Sequence, residues 1–347
     1  MATPTRHPPP PKRTRCAWLL LSCVVQLSSL VGRLPYPSQA LQRALAIAAI
    51  ITQAGIGVTG SIVRVTGSGL GCPTWPQCFP GSMVPIEHPE YATLNQWIEY
   101  GNRMLTVVVV FVAALCVLAA WRIYLDHPSR KRLLRLAWVM PAGVVAQAVI
   151  GGITVLTDLL WWIVALHFLP TTVLVWMAVI LLRAFTEGDQ PPRPRVPHSS
   201  RPVLGVLVAS LAGLLIAGTV VTGAGPHGGD PDVERFDAPI ETLTRIHAAF
   251  LYLFLAVLVV LGVQWYRARV EKKLWLHYTT VWVIALAQGV LGVVQYRLGI
   301  PEALVSLHVL GSMLIIVATA ALWCAARDRG PVVSTVPAPE RHTVGAA

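Results

Sequence analysis

The chain has 347 residues, of which 55% are hydrophobic and only 12% charged, with a formal net charge of +11 and a mean hydropathy of +0.62. Soluble domains carry roughly 25% charged residues, so the composition argues against a water-soluble fold. The basic excess is spread by loop rather than gathered into a patch, so no nucleic-acid partner is expected.

From the N-terminus, residues 1–43 form an extension. Within it Cys16 to Val31 is apolar over about 15 residues, follows Lys12, Arg13 and Arg15, and is short for a membrane span. It resembles the h-region of a signal sequence. A cleaved signal would start the first span outside, against the charge pattern described below, so the segment is read as an interfacial extension. Apolar runs of about 20 residues follow near 44–64, 99–121, 136–157, 162–182, 203–223, 243–265, 275–296 and 303–325. At about 1.5 Å per residue each can cross a bilayer, which predicts an all-α membrane protein with eight transmembrane helices.

Basic residues follow alternate spans: Arg122, Arg130, Lys131, Arg132 and Arg135 after the second, Arg183, Arg193, Arg195 and Arg201 after the fourth, Arg267, Arg269, Lys272 and Lys273 after the sixth. Between the fifth and sixth spans Asp230, Asp232, Glu234, Asp237 and Glu241 oppose the single Arg235. The positive-inside rule then places both ends of the eight-span core in the cytoplasm of a multi-pass cell-membrane protein. Of six cysteines, only Cys72 and Cys78 fall in an outer loop, where conditions are oxidising. Pro73 and Pro76 restrict that loop enough to make a disulfide feasible, two unpaired thiols being the alternative.

Two halves repeat. Val65-Thr66-Gly67-Ser68-Gly69 resembles Val221-Thr222-Gly223-Ala224-Gly225, and Ala146-Gln147-Ala148-Val149-Ile150-Gly151 resembles Ala287-Gln288-Gly289-Val290-Leu291-Gly292. Both Gln147 to His167 and Gln288 to His308 span 20 residues, so the repeat aligns two histidines without a gap. Four spans separate the copies, an even number, which predicts a parallel repeat of two four-helix bundles. The expected units are residues 44–184 and 203–326, joined by a Pro-rich cytoplasmic linker at 185–202 and followed by a cytoplasmic tail at 327–347. Small residues in the repeated segments suit close helix packing in lipid.

Of ten histidines, His167, His247 and His308 share one depth, about five residues inside the outer ends of the fourth, sixth and eighth spans, while His277 lies on the cytoplasmic side. The repeat places Asn102 opposite His247. Two neutral imidazoles facing each other in a helical bundle can take both axial positions of a haem iron, and His247 with His308 suits such a pair. Hydrogen-bonded structural histidines are the alternative, outweighed by three at one depth in a repeated frame. Glu99 lies three residues before Asn102 on the same helix face, where it could accept protons or orient water, or sit as a solvated interfacial carboxylate. Arg64 and Arg103 lie at the same boundary and could meet porphyrin propionates, with snorkelling as the alternative. Trp161 and Trp162 suit an interfacial aromatic belt. No nucleotide loop, zinc site or nucleophile arrangement appears.

The stretch Val63-Arg64-Val65-Thr66-Gly67-Ser68-Gly69-Leu70-Gly71-Cys72-Pro73-Thr74-Trp75-Pro76-Gln77-Cys78, with Ile98-Glu99-Tyr100, the Gln-x-x-x-Gly segments at 147 and 288 and the three histidines, resembles the haem A synthase family. The likeness covers roughly residues 44–325. It implies a C-terminal unit holding haem b between His247 and His308, and an N-terminal unit binding substrate haem O with His167 as ligand and Glu99 as the acidic residue needed for activity. It also implies a disulfide between Cys72 and Cys78 linked to redox transfer. The implied reaction is two successive hydroxylations of the haem O C8 methyl, giving a geminal diol that loses water to leave the formyl group of haem A for terminal oxidases. Implied partners are the bilayer, the farnesyltransferase that makes haem O and cytochrome oxidase assembly factors. A homo-oligomer is compatible with the sequence.

One departure is marked. Many members read Glu-x-x-His where this chain has Glu99-Tyr100-Gly101-Asn102, and Asn is a poor iron ligand, so the substrate site is expected to be five-coordinate or weakly six-coordinate. A second is that the outer loop of the second half lacks a cysteine pair. Two rival readings use the same residues: a bis-histidine cytochrome b taking electrons from quinol without modifying haem, and a transporter with repeated halves.

Overall fold

The computed structural model describes residues 25–332. Eight helices long and apolar enough to cross a membrane run through it: α1 (Gln39–Val65), α2 (Thr93–Asp126), α3 (Lys131–Leu156), α4 (Trp161–Thr186), α5 (Ser200–Ala224), α6 (Ile240–Ala268), α7 (Lys272–Arg297) and α8 (Glu302–Ala325). All eight expected spans are present, and the chain is an all-α membrane bundle. Of the apolar extension segment, residues 16–24 lie outside the described residues, as do Cys16 and Cys23, whereas 25–32 are helical with exposed Val25, Leu27 and Leu30.

Helix limits follow local chemistry. The Ser38 side chain caps α1 by accepting from the Leu41 amide at 3.2 Å, six residues before the expected first span. Helix α2 has 34 residues, well beyond the roughly 20 a bilayer requires, so its first turns carry Asn95 and Gln96 ahead of the apolar run and Glu99 at its start. Between α3 and α4 the chain reverses through Asp158 and Leu159, both in the left-handed region at φ 50° and 57°. That backbone is unfavourable for a branched residue, and buried Leu159 is held there against Gly69 and Gly229 of two other loops.

Apolar packing is concentrated at the end that bears the basic loops. In the first half Ala46, Ala49, Cys116, Ala120, Ala137, Met140 and Leu181 interlock, and the small side chains allow close approach. In the second half Leu207, Phe254, Leu258, Trp265, Val281 and Ile316 form the core, and Val175 of α4, with Ala54 and Val58 of α1, joins it. The halves therefore share packing along the seam of α1 and α4 with α8.

At the basic end the linker and the tail are tied together. Arg193–Pro194 pairs antiparallel with Arg327–Asp328, and the Gly188 amide donates to the Gly330 carbonyl at 2.8 Å. Arg130, 4% exposed, donates to the Ala184 and Glu187 carbonyls at the C-terminus of α4 and lies 3.3 Å from Asp189. These contacts close the C-terminal end of α4 in the manner expected for a cation at a helix C-terminus.

Candidate haem site

At the opposite end, beneath the loop carrying Cys72, the helices open into one cavity of about 1170 Å³. That exceeds the usual size of a small-ligand pocket. Glu99, Asn102, Arg103, Arg64 and His167 from the first half line it together with His247 and His308 from the second, so the expected site residues share one space.

His247 and His308 face each other from α6 and α8 with ring centroids 6.2 Å apart and planes at 62°. His247 Nδ1–H donates to the Leu214 carbonyl at 3.1 Å, which fixes the tautomer and leaves the Nε2 lone pair free. His308 Nδ1 and His167 Nδ1 are buried without a hydrogen-bond partner. Each ring rests on a glycine of a neighbouring helix: a Cβ added at Gly218 would lie 3.1 Å from the His247 ring, at Gly292 3.4 Å from His308, and at Gly151 3.2 Å from His167. Gly151 and Gly292 are equivalent in the repeat, which gives their spacing a steric purpose. Two facing imidazoles in a largely apolar cavity could hold a haem iron between them, and no group of three or more His, Cys, Asp or Glu side chains fit for a bare metal ion occurs among the described residues.

On the other side of the cavity, Gln147 Nε2 donates to the His167 carbonyl at 2.8 Å and to Thr171 Oγ1 at 2.5 Å, fixing α4 at the histidine. Asn102 Oδ1 and Thr59 Oγ1 are 2.7 Å apart, so Asn102 is anchored to α1. His167 is thus the single imidazole of this half at the cavity wall.

Glu99 is 5% exposed and both its oxygens are engaged. Oε2 accepts from the Cys72 amide at 2.7 Å, and Oε1 accepts from Arg103 Nε at 3.1 Å and Nη2 at 2.5 Å. Cys72 and Cys78 form a disulfide, and Arg103 donates on to the carbonyls of Cys72, Thr74 and Gln77 within that loop. Arg103 is therefore neither snorkelling nor free to hold a propionate: its guanidinium is spent on the loop and on Glu99. Gly71 permits this seat, because a Cβ there would lie 2.6 Å from the Asn95 backbone carbon. Arg64 also turns inward, Nε donating to the His227 carbonyl at 2.5 Å and Nη2 to the Thr222 carbonyl at 2.7 Å.

Several lining residues carried no usable signal in the sequence. His227 sits in a loop outside every span, yet it lines the cavity and its Nε2–H donates to the Ile300 carbonyl at 2.7 Å, joining the α5–α6 and α7–α8 loops. Thr59 became visible only through Asn102. Gln147 and Gln288 were legible as repeat markers but not as lining groups.

Residues 43–226 match the model of the cytochrome oxidase assembly protein family (COX15-CtaA). The chain is also similar to proteins named heme A synthase: 29% identical to that of Shouchella clausii over 63% of this chain and 76% of the relative, and 27% to that of Geobacillus thermodenitrificans over 38% and 39%. For the Alkalihalophilus pseudofirmus protein the identity is 30% over 43% of this chain and 50% of the relative. Two of these three matches thus span half or less of the relative's length. With more than half of its length inside the family model, the chain belongs to the cytochrome oxidase assembly protein family (COX15-CtaA).

Proposed function

We propose that the protein is a haem A synthase, oxidising the C8 methyl of haem O to a formyl group by two successive hydroxylations and loss of water. The observation that carries this reading is the pairing of unequal halves around one cavity: two facing imidazoles in the second, and one imidazole with an anchored Asn and a buried carboxylate in the first. His247 and His308 would hold a resident haem b, which supplies one-electron redox chemistry when bound. His167 would hold the iron of the substrate haem O. Asn102, tied to Thr59, offers an amide rather than an iron ligand on the facing helix, so the substrate is held from one side.

Glu99 is the acidic group of the first half at the cavity wall, and its proposed role is catalytic. Its carboxylate holds the Cys72 amide while lining the space for substrate, so it connects the disulfide loop to the reacting region. The apolar remainder of the wall excludes water from the ring. In this reading the 44–184 unit is catalytic and the 203–326 unit carries the cofactor. The cavity end faces the outer side of a cell membrane, with the basic loops in the cytoplasm. The farnesyltransferase that makes haem O and cytochrome oxidase assembly factors are the proposed partners.

Expression in a host that accumulates haem O, followed by extraction and chromatography of total haem, tests the activity. Haem A should appear only with the intact chain. Unmodified haem O beside a stable bis-histidine spectrum would instead favour a quinol-oxidising cytochrome b.

A further inference from the structure

Between the halves, at the mouth of the cavity, the turn Pro226–Gly229 lies between two guanidinium groups. Arg64 of α1 approaches from the first half and donates to the His227 carbonyl, while Arg235 of the α5–α6 loop donates to the Pro226 carbonyl at 2.7 Å. Arg235 packs flat against Gly228, where a Cβ would overlap its guanidinium. Neither arginine has an ion-pair partner among the described residues, and Asp230, Asp232, Glu234 and Asp237 of the same loop do not reach them. Arg235 Nη1 is buried with no acceptor. Arg64 lines the cavity and commits two of its five N–H groups to protein carbonyls. The amides of Gly228 and Gly229, both in the cavity wall, donate to no backbone carbonyl among the described residues.

Two cations sharing a turn without a counter-charge is an unfavourable arrangement unless an anion completes it. The turn is also fixed from both sides, by the Gly69 amide donating to the Gly229 carbonyl at 2.7 Å and by His227 donating to Ile300, so its donors are pre-organised. Arg64 is one turn beyond Gly60 and Ser61 of the cavity wall, and its acceptor Thr222 is one turn beyond Gly218, on which the His247 ring rests. A carboxylate at this turn would therefore belong to a molecule lying in the cavity.

We infer that Arg64 and the Pro226–Gly229 turn, backed by Arg235, form a carboxylate site at the seam of the two halves that binds a propionate of a porphyrin in the cavity. This rests on the haem-binding reading above. Arg64 would make the direct contact, and Arg235 is a positioning residue that holds the turn and adds charge behind it.

The test compares binding of iron protoporphyrin IX with binding of its dimethyl ester, which has the same ring and iron but no carboxylates, by Soret titration of the purified full chain. The free acid should bind about tenfold or more tighter, the range of one charge-assisted hydrogen-bonded contact. Arg64→Gln and Arg235→Gln should bring the two ligands near parity while leaving ester affinity unchanged, and Arg64→Lys should keep a partial preference. Unchanged ester affinity also reports that each variant is folded. Repeating the comparison in His167→Ala and in His308→Ala assigns the carboxylate to the substrate-side or the resident macrocycle, according to which background loses the preference. Equal binding of acid and ester by the unmodified chain, or a preference that survives both glutamine variants, overturns the site. A preserved preference without haem A production overturns the enzymatic reading alone.

Discussion

Glu99 and Arg103, one turn apart on α2, form an ion pair at 2.5 Å whose two members also hold the Cys72–Cys78 loop by its backbone. The carboxylate takes the Cys72 amide, and the guanidinium takes the Cys72, Thr74 and Gln77 carbonyls. A loop that the sequence marked by its cysteines is thus secured to the helix that carries the proposed catalytic acid.

That coupling separates two effects of mutation. Arg103→Gln leaves a buried carboxylate unpaired and should destabilise the protein by about 3–5 kcal/mol, read as a fall in the unfolding midpoint in detergent. Glu99→Ala should retain the resident haem but make no haem A. Wild-type product levels from the Glu99 variant would remove its catalytic role.

The disulfide closes a short loop, its cysteines six positions apart, for which chain entropy gives about 2 kcal/mol. Because Glu99 and Arg103 hold the same loop independently, Cys72→Ser and Cys78→Ser should keep the resident haem and lose no more than about that amount. Loss of all bound haem on reduction would show that the disulfide alone holds the loop.

His247→Ala or His308→Ala should abolish the resident haem, whereas His167→Ala should spare it. Pyridine haemochrome content per protein, measured on purified variants, distinguishes the three. Equal haem loss from all three would contradict the division of the cavity into two ligand sets.

The glycines beneath the rings give a finer check. A Cβ at Gly218 would sit 3.1 Å from the His247 ring and one at Gly292 3.4 Å from His308, so Gly218→Ala should lower resident haem occupancy more than Gly292→Ala. Gly151→Ala should leave that haem in place and weaken binding of added haem at the substrate side.

With one imidazole in the first half, a haem bound there should be five-coordinate or weakly six-coordinate and should take carbon monoxide once reduced, while the resident haem stays low-spin. Absorption spectra of the loaded protein with and without the gas measure this. Two carbon-monoxide-insensitive bis-histidine spectra would mean that another side chain reaches the iron.

The eight helices, the repeat and the shared depth of His167, His247 and His308 were legible in the chain, because bilayer thickness fixes span length and a duplicated helix pair preserves residue spacing. The internal match of Gln147–Gly151 with Gln288–Gly292 marked two glycines that the sequence suggested only for close helix packing, and the structure puts the His167 and His308 rings against them. The sequence did not separate the arginines by role. Arg64 and Arg103 occupy similar depths, yet Arg103 is spent within its own half while Arg64 crosses to the His227 and Thr222 carbonyls. Nor did it bring His227 to the cavity or Arg235 to the turn beside it, since a loop position shows no periodicity and its neighbours depend on how α1 and α4 meet α8. Spacing along a helix is local and survives in sequence. The joining of two sets of site residues into one cavity is a long-range consequence of packing, and only the tertiary structure decided it.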